Sequence, residues 1–193
     1  DPFFAAAEAA PVGAHGPGRI RLVAVDLDGV VWLGGTVLPD AAAALGEVVR
    51  RGLDLRYASN NSTAHREAVS ERLAAAGLPA GPERVFTSGY VTGRWLRQRL
   101  PQGAPVLVIG EPGLMRELAE AGLAPFHAGA EAAAAADSAS QPAPPTSPGR
   151  PAAVVVGMDR SFTFQMLAQA QAAILAGALF VGTNPDRTFP TSS

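Results

Sequence analysis

Cysteine is absent from the 193 residues, which excludes a disulfide scaffold and thiolate chemistry. No uninterrupted apolar run approaches the ~20 residues that a membrane-crossing helix needs, so no membrane partner is expected. Residues 1–18 hold alanine, proline and glycine without a basic region followed by an apolar core, and they predict a flexible tail rather than a secretion signal. Charge is sparse: 17% of residues are Asp, Glu, Lys or Arg, and the net charge of −2 gives no electrostatic reason for a nucleic-acid partner. The chain opens on Asp1 rather than methionine, so a fragment of a longer protein is expected, with the cytoplasm as its default location.

What is present centres on one stretch. Arg21-Leu22-Val23-Ala24-Val25 is a short apolar run rich in β-formers, the pattern of a buried parallel strand, and it ends in Asp26-Leu27-Asp28-Gly29. Side chains at i and i+2 of an extended chain point the same way, so Asp26 and Asp28 are expected on one side of the strand's C-terminal end. Ligands bind at that end of open α/β sheets. Two carboxylates so close repel unless a cation or a shared proton holds them, and Mg2+, a hard cation with oxygen ligands, is the economical answer. A plain strand end, with one acid capping a turn and the other in solvent, is the alternative.

The remaining pattern alternates strand and helix, which predicts an α/β fold with a parallel sheet. Gly34-Gly35 between apolar arms signals a hairpin. Asp40 is the expected N-cap of a helix facing inward through Ala41, Ala44, Leu45, Val48 and Val49. A strand over 53–58 runs into Ser59-Asn60-Asn61-Ser62-Thr63, and a helix follows over 64–76 with Ser62 or Thr63 as its N-cap. Residues 101–105 are rich in turn formers and mark the expected domain boundary. Beyond it come strands over 106–109, 152–156 and 178–181 and helices over 114–121 and 164–176. The turn at 110–113 lacks the Lys and the Ser or Thr of a phosphate loop. Residues 128–151 are a low-complexity loop.

Asp26-Leu27-Asp28-Gly29-Val30 resembles the first motif of the haloacid dehalogenase (HAD) superfamily of phosphohydrolases. It is most similar to the branch holding p-nitrophenyl, glycerol-phosphate and pyridoxal-phosphate phosphatases. Tyr57-Ala58-Ser59-Asn60-Asn61 is similar to the second motif. The resemblance implies a Rossmann-like core, of which this chain holds the N-terminal half over 19–100, and an inserted α/β cap over 101–193. It implies that Asp26 is the nucleophile and a Mg2+ ligand, and that Asp28 is the general acid/base and a second metal ligand through its carbonyl. Ser59 would hold the phosphoryl oxygen with Asn60 and Asn61 beside it, and Asp159, Asn184 or Asp186 would help to select a small phosphorylated metabolite. Caps in this branch contribute to dimer contacts, which makes a homodimer a candidate partner.

The chain departs from the family's pattern at its end. The lysine that steadies the phospho-intermediate and the acidic motif that completes the metal site have no counterpart, and no lysine lies in the matching stretches. A Mg2+-dependent phosphomonoester hydrolase that is inactive as this truncated chain is therefore the leading expectation. A non-catalytic binding or regulatory module with half of the fold is the rival, and a receiver-like phosphoacceptor is a weaker third.

Overall fold

The computed structural model describes residues 20–34, 36–129 and 150–186. The expected tail over 1–18, most of the expected loop over 128–151, and residues 187–193 lie outside them.

The first apolar run is strand β1 (Leu22–Asp26). A small hairpin follows, β2 (Trp32–Leu33) with β3 (Thr36–Val37), turning at Gly34 with φ +58°. Helix α1 (Ala41–Arg50) leads to β4 (Asp54–Ser59), and α2 (Arg66–Ala75) leads through a short 3-10 turn (Pro82–Arg84) to β5 (Val85–Thr87). The three longer strands form a parallel sheet in the order β1-β4-β5. Asp26 pairs with Ala58 and Ser59 with Thr87, so the C-terminal ends of all three strands open on one edge.

Alternation along these strands decides what the sheet buries. Val25, Leu55, Tyr57 and Val85 face α1 and α2, where Leu45, Val48, Val69 and Leu73 meet them. Each fully buried apolar side chain there contributes roughly 1.5–3 kcal/mol. Tyr57 keeps its polar end satisfied by donating to the Pro79 carbonyl at 2.8 Å. Leu22, Ala24 and Asp26 alternate onto the opposite face and are exposed.

Helix α3 (Ser88–Arg97) follows β5, and a second parallel sheet then forms. Its strands are β6 (Pro105–Ile109), β7 (Ala124–His127), β8 (Ala153–Val156) and β9 (Leu179–Gly182), in the order β7-β6-β8-β9. Helix α4 (Pro112–Glu120) covers one face, where Leu114 and Leu118 meet Val106, Val108 and Val155. Leu96 of α3 joins that cluster, although it precedes the turn-rich stretch at 101–105. Helix α5 (Phe164–Leu175) covers the other face through Met166, Ala170 and Ala173 against Leu107, Ile109 and Val154. Strands β6 and β8, buried from both sides, are the near-continuous apolar runs seen in the sequence. The α/β class with parallel sheets is what the sequence predicts. Among the described residues no helix is long and apolar enough to cross a membrane.

Local expectations differ at three points. Asp40 does occupy the N-cap position of α1, but its backbone is left-handed (φ 64°) and its carboxylate makes no cap hydrogen bond. Val49 is exposed, and Ala42 packs against the core in place of Ala41 and Ala44. Helix α2 starts at Arg66, two residues late, because His65 is its cap: Nδ1 accepts from Glu67 N at 3.2 Å.

Candidate active site

β1 delivers Asp26 to the sheet edge, and the chain then coils tightly on itself. Val31 N and Trp32 N both donate to the Leu27 carbonyl, at 2.9 and 3.1 Å, and Gly29 N donates to the Trp32 carbonyl at 2.7 Å. Gly29 holds φ +86°, a conformation that costs glycine little and other residues more. Leu27 is driven into the core, while Asp26 and Asp28, on either side of it, both line one cavity of about 720 Å3. Trp32 Nε1 donates to Asp28 Oδ1 at 3.0 Å.

The end of β4 supplies the opposite wall. Ser59 is buried, and its Oγ accepts from Asn61 N at 3.2 Å, which leaves the hydroxyl proton available for donation. It lines an adjoining cavity of about 350 Å3, of which Asp26 and Asn60 are also part. Asn61 lies in the larger cavity, but its Oδ1 accepts from both the backbone N and the hydroxyl of Thr63, each at 2.8 Å. Asn61 therefore shapes the turn before α2, the task expected of Ser62 or Thr63. Ser62 instead meets Thr183 of the second sheet, oxygen to oxygen at 3.1 Å.

The second sheet closes the cavity from the far side. Asn184 and Asp186, just after β9, line it, and Asp186 Oδ2 accepts from Asn60 Nδ2 at 2.5 Å. Asp159 does not line it. It lies in a separate cavity of about 640 Å3, where it accepts from His127 Nε2 at 2.7 Å and from Gly110 N at 3.1 Å. Ser161 donates to it through both backbone and hydroxyl. Burial alone would raise this carboxyl's pKa, but the bonds from Ser161 and His127 outweigh burial and hold it below the usual range.

A second anchor ties the sheets together. Glu117 of α4, 2% exposed, accepts from Arg66 N at 2.9 Å and so satisfies the first turn of α2 from outside the helix. Alongside, Gly113 backs so closely onto the chain before α2 that an added Cβ would stand 2.4 Å from the Thr63 carbonyl. His65, Glu117 and Glu120 sit close enough to share a cation. The donor set argues against one: His65 Nδ1 accepts from Glu67 N, which places the ring proton on Nε2, the atom facing both carboxylates. Arg66 and Arg116 already supply positive charge there.

The structure thus brings Asp26, Asp28, Ser59, Asn60 and Asn61 to adjoining cavities, with Asn184 and Asp186 opposite and Asp159 apart. Three further participants are not evident in the sequence: Trp32 on Asp28, Glu117 beneath α2, and Thr183, which lines both cavities. Only Trp32, four residues after Asp28 at a hairpin arm, carried any local signal.

A family model described as haloacid dehalogenase-like hydrolase matches residues 23–124. The glycerol-3-phosphate phosphatase of Gallus gallus is 42% identical over 171 residues, covering 86% of this chain and 54% of the relative. The acid sugar phosphatase of Staphylococcus aureus is 31% identical over 166 residues, covering 86% and 56%. Among solved structures, a p-nitrophenyl phosphatase from Archaeoglobus fulgidus superposes with a TM-score of 0.72 at 29% identity, over 89% of this chain and 57% of that one. A glycerol phosphate phosphatase from Mycobacterium tuberculosis in complex with magnesium gives 0.71 at 32%, over 89% and 46%. The chain spans about half the length of the curated relatives it matches.

Proposed function

The chain belongs to the haloacid dehalogenase-like hydrolases, and from that premise we propose that it carries the nucleophile half of a phosphomonoester hydrolase acting on a small phosphorylated metabolite. The observation that carries this reading is the meeting of Asp26, Asp28, Asn60 and Asn61 around one cavity, with Ser59 beside Asp26 in the next.

In the first step a carboxylate oxygen of Asp26 attacks phosphorus, forming an acyl phosphate, and the ester oxygen departs with a proton from Asp28. In the second, water attacks the acyl phosphate, Asp28 takes its proton, and inorganic phosphate and free Asp26 result. Ser59 Oγ–H and Asn60 Nδ2 supply donors for the charge on the transferring group. The donor chemistry suits Mg2+: the carboxylate of Asp26 is exposed, and no hydrogen bond among the described residues reaches the carbonyl of Asp28. Those two oxygens would hold the ion, which would supply charge neutralisation and alignment.

Glycerol phosphate, a sugar phosphate or p-nitrophenyl phosphate fits this reading, because relatives named for each match most of the chain in sequence or in structure. The test is phosphate release from these esters with Mg2+ present, for the full-length parent and for the same protein carrying Asp26→Asn. Release at the parental rate by Asp26→Asn would reject the nucleophile. Binding of the ester with no release by the parent would favour the non-catalytic module.

A further inference from the structure

We propose that Trp32 is the positioning residue of Asp28, fixing which carboxylate oxygen is free to handle the proton, and that Arg72 in turn fixes Trp32. The inference deepens the phosphatase reading and rests on it for its catalytic meaning. Its structural half stands on geometry alone.

Asp28 is half-buried at the cavity, whereas Trp32 is 3% exposed, so the mobile carboxylate is tied to an immobile ring. The bond is Trp32 Nε1 to Asp28 Oδ1 at 3.0 Å. Its length follows from the coil after β1, which brings positions 28 and 32 into register as an isolated bridge. The guanidinium of Arg72, from α2, lies over the indole 3.9 Å from the ring centroid, and its Nη2 also donates to the Gly34 carbonyl at the hairpin turn. Three elements, the strand end, the hairpin and α2, therefore converge on one side chain.

The chemistry follows from what an indole can do. Its N–H donates and cannot accept. Oδ1 of Asp28 is engaged as an acceptor throughout, so a proton carried by this carboxyl resides on Oδ2. A free aspartate would interchange its oxygens by rotation, and half of its orientations would present the wrong atom to the leaving group. A cation over the ring face is held by the ring's own charge distribution, and by drawing on that density it strengthens the N–H as a donor.

The experiment follows the indole N–H itself. The chain has two tryptophans, so its NMR spectrum holds two indole resonances, and Trp32→Phe identifies one by its loss. Trp95, which lies under Arg99 at 3.7 Å, is the internal reference. Asp28→Ala is expected to speed hydrogen exchange at the Trp32 indole by about tenfold or more, because opening then needs no bond to break. Asp28→Asn keeps an acceptor oxygen and should stay within about threefold of the parent. Arg72→Met, which retains the apolar stem, should speed it by roughly threefold to tenfold. Exchange at Trp95 should not change. An unchanged Trp32 rate in Asp28→Ala overturns the proposal.

Turnover of p-nitrophenyl phosphate by the full-length protein supplies the second readout. Trp32→Phe should lower kcat by about tenfold to a hundredfold with KM within about twofold, because orientation of the proton carrier is lost and not ester binding. Arg72→Met should do the same to a smaller extent with the ring in place. Unchanged kcat in both variants overturns the positioning role. Absence of release by the full-length parent, with the exchange pattern as expected, overturns the phosphatase reading and leaves the assignment of Trp32 to Asp28 standing.

Discussion

Replacing Glu117 tests how firmly the second sheet holds the first turn of α2. Its side chain is 1% exposed, Oε1 accepts from Arg66 N at 2.9 Å, and Oε2 lies 3.9 Å from Arg66 Nε with neither atom hydrogen-bonded. Glu117→Ala strips the acceptor from a buried backbone N–H, which alone costs about 1–3 kcal/mol. It also removes a carboxylate from beside the Arg66 guanidinium, which is a quarter exposed and keeps Glu120 at 3.4 Å, so the sum stays at about 1–3 kcal/mol. At roughly 2–4 °C per kcal/mol for a chain of this size, Tm should fall by about 2–12 °C. Glu117→Gln keeps the shape and one acceptor oxygen, so it should cost about 1 kcal/mol or less. Urea denaturation of the three proteins measures this directly. A Glu117→Ala loss of about 0.5 kcal/mol or less, the level of an ordinary surface change, would refute the anchor.

Two further outcomes are expected. Asp159 has a depressed pKa in the folded protein, so its stabilisation is full above the ordinary Asp value of ~3.9 and is lost as pH falls through the lower folded value. Asp159→Asn should therefore lower stability at neutral pH and flatten the decline below about pH 4, as acid-denaturation curves would show; an unaltered acid limb would exclude it as a contributor. Gly113→Ala should destabilise by about 1–3 kcal/mol in thermal melts, because its methyl would meet backbone rather than a yielding side chain, and a neutral result would mean that the seam has slack.

The parts of the fold that rest on local pattern were legible. β6 and β8 are apolar runs buried from both sides, whereas β1, expected to be fully buried, is a parallel strand with Leu22 and Ala24 exposed on one face, and Asp26-Leu27-Asp28 follows from where it ends. Thr87 caps α3 and Thr163 caps α5 through their hydroxyls, caps that the sequence reading did not name. The cap of α2 was expected at Ser62 or Thr63, the preferred residue types, and is a histidine. Ser62 is drawn to Thr183, 121 residues away, and no local rule foresees that pairing. Glu117 escaped for the same reason: at the surface of an amphipathic helix it would read as solvated, and the approach of α2 and α3 buries it. Asp159 was a candidate for selecting substrate by resemblance, with a plain turn residue as the other reading, and its carboxylate is taken up by His127, Gly110 and Ser161.

The closeness of Gly113 to Thr63 bears on how the second sheet could lift from the cavity that Asp26 and Asp28 line. Where main chain rests on main chain with no side chain between, sliding is blocked, so this contact behaves as a fulcrum and not as a latch. Any opening must then be taken up at the other crossing, where Asn60 grips Asp186 and Ser62 grips Thr183 through side chains alone. Those two polar grips are the ones that any widening of the cavity would have to break.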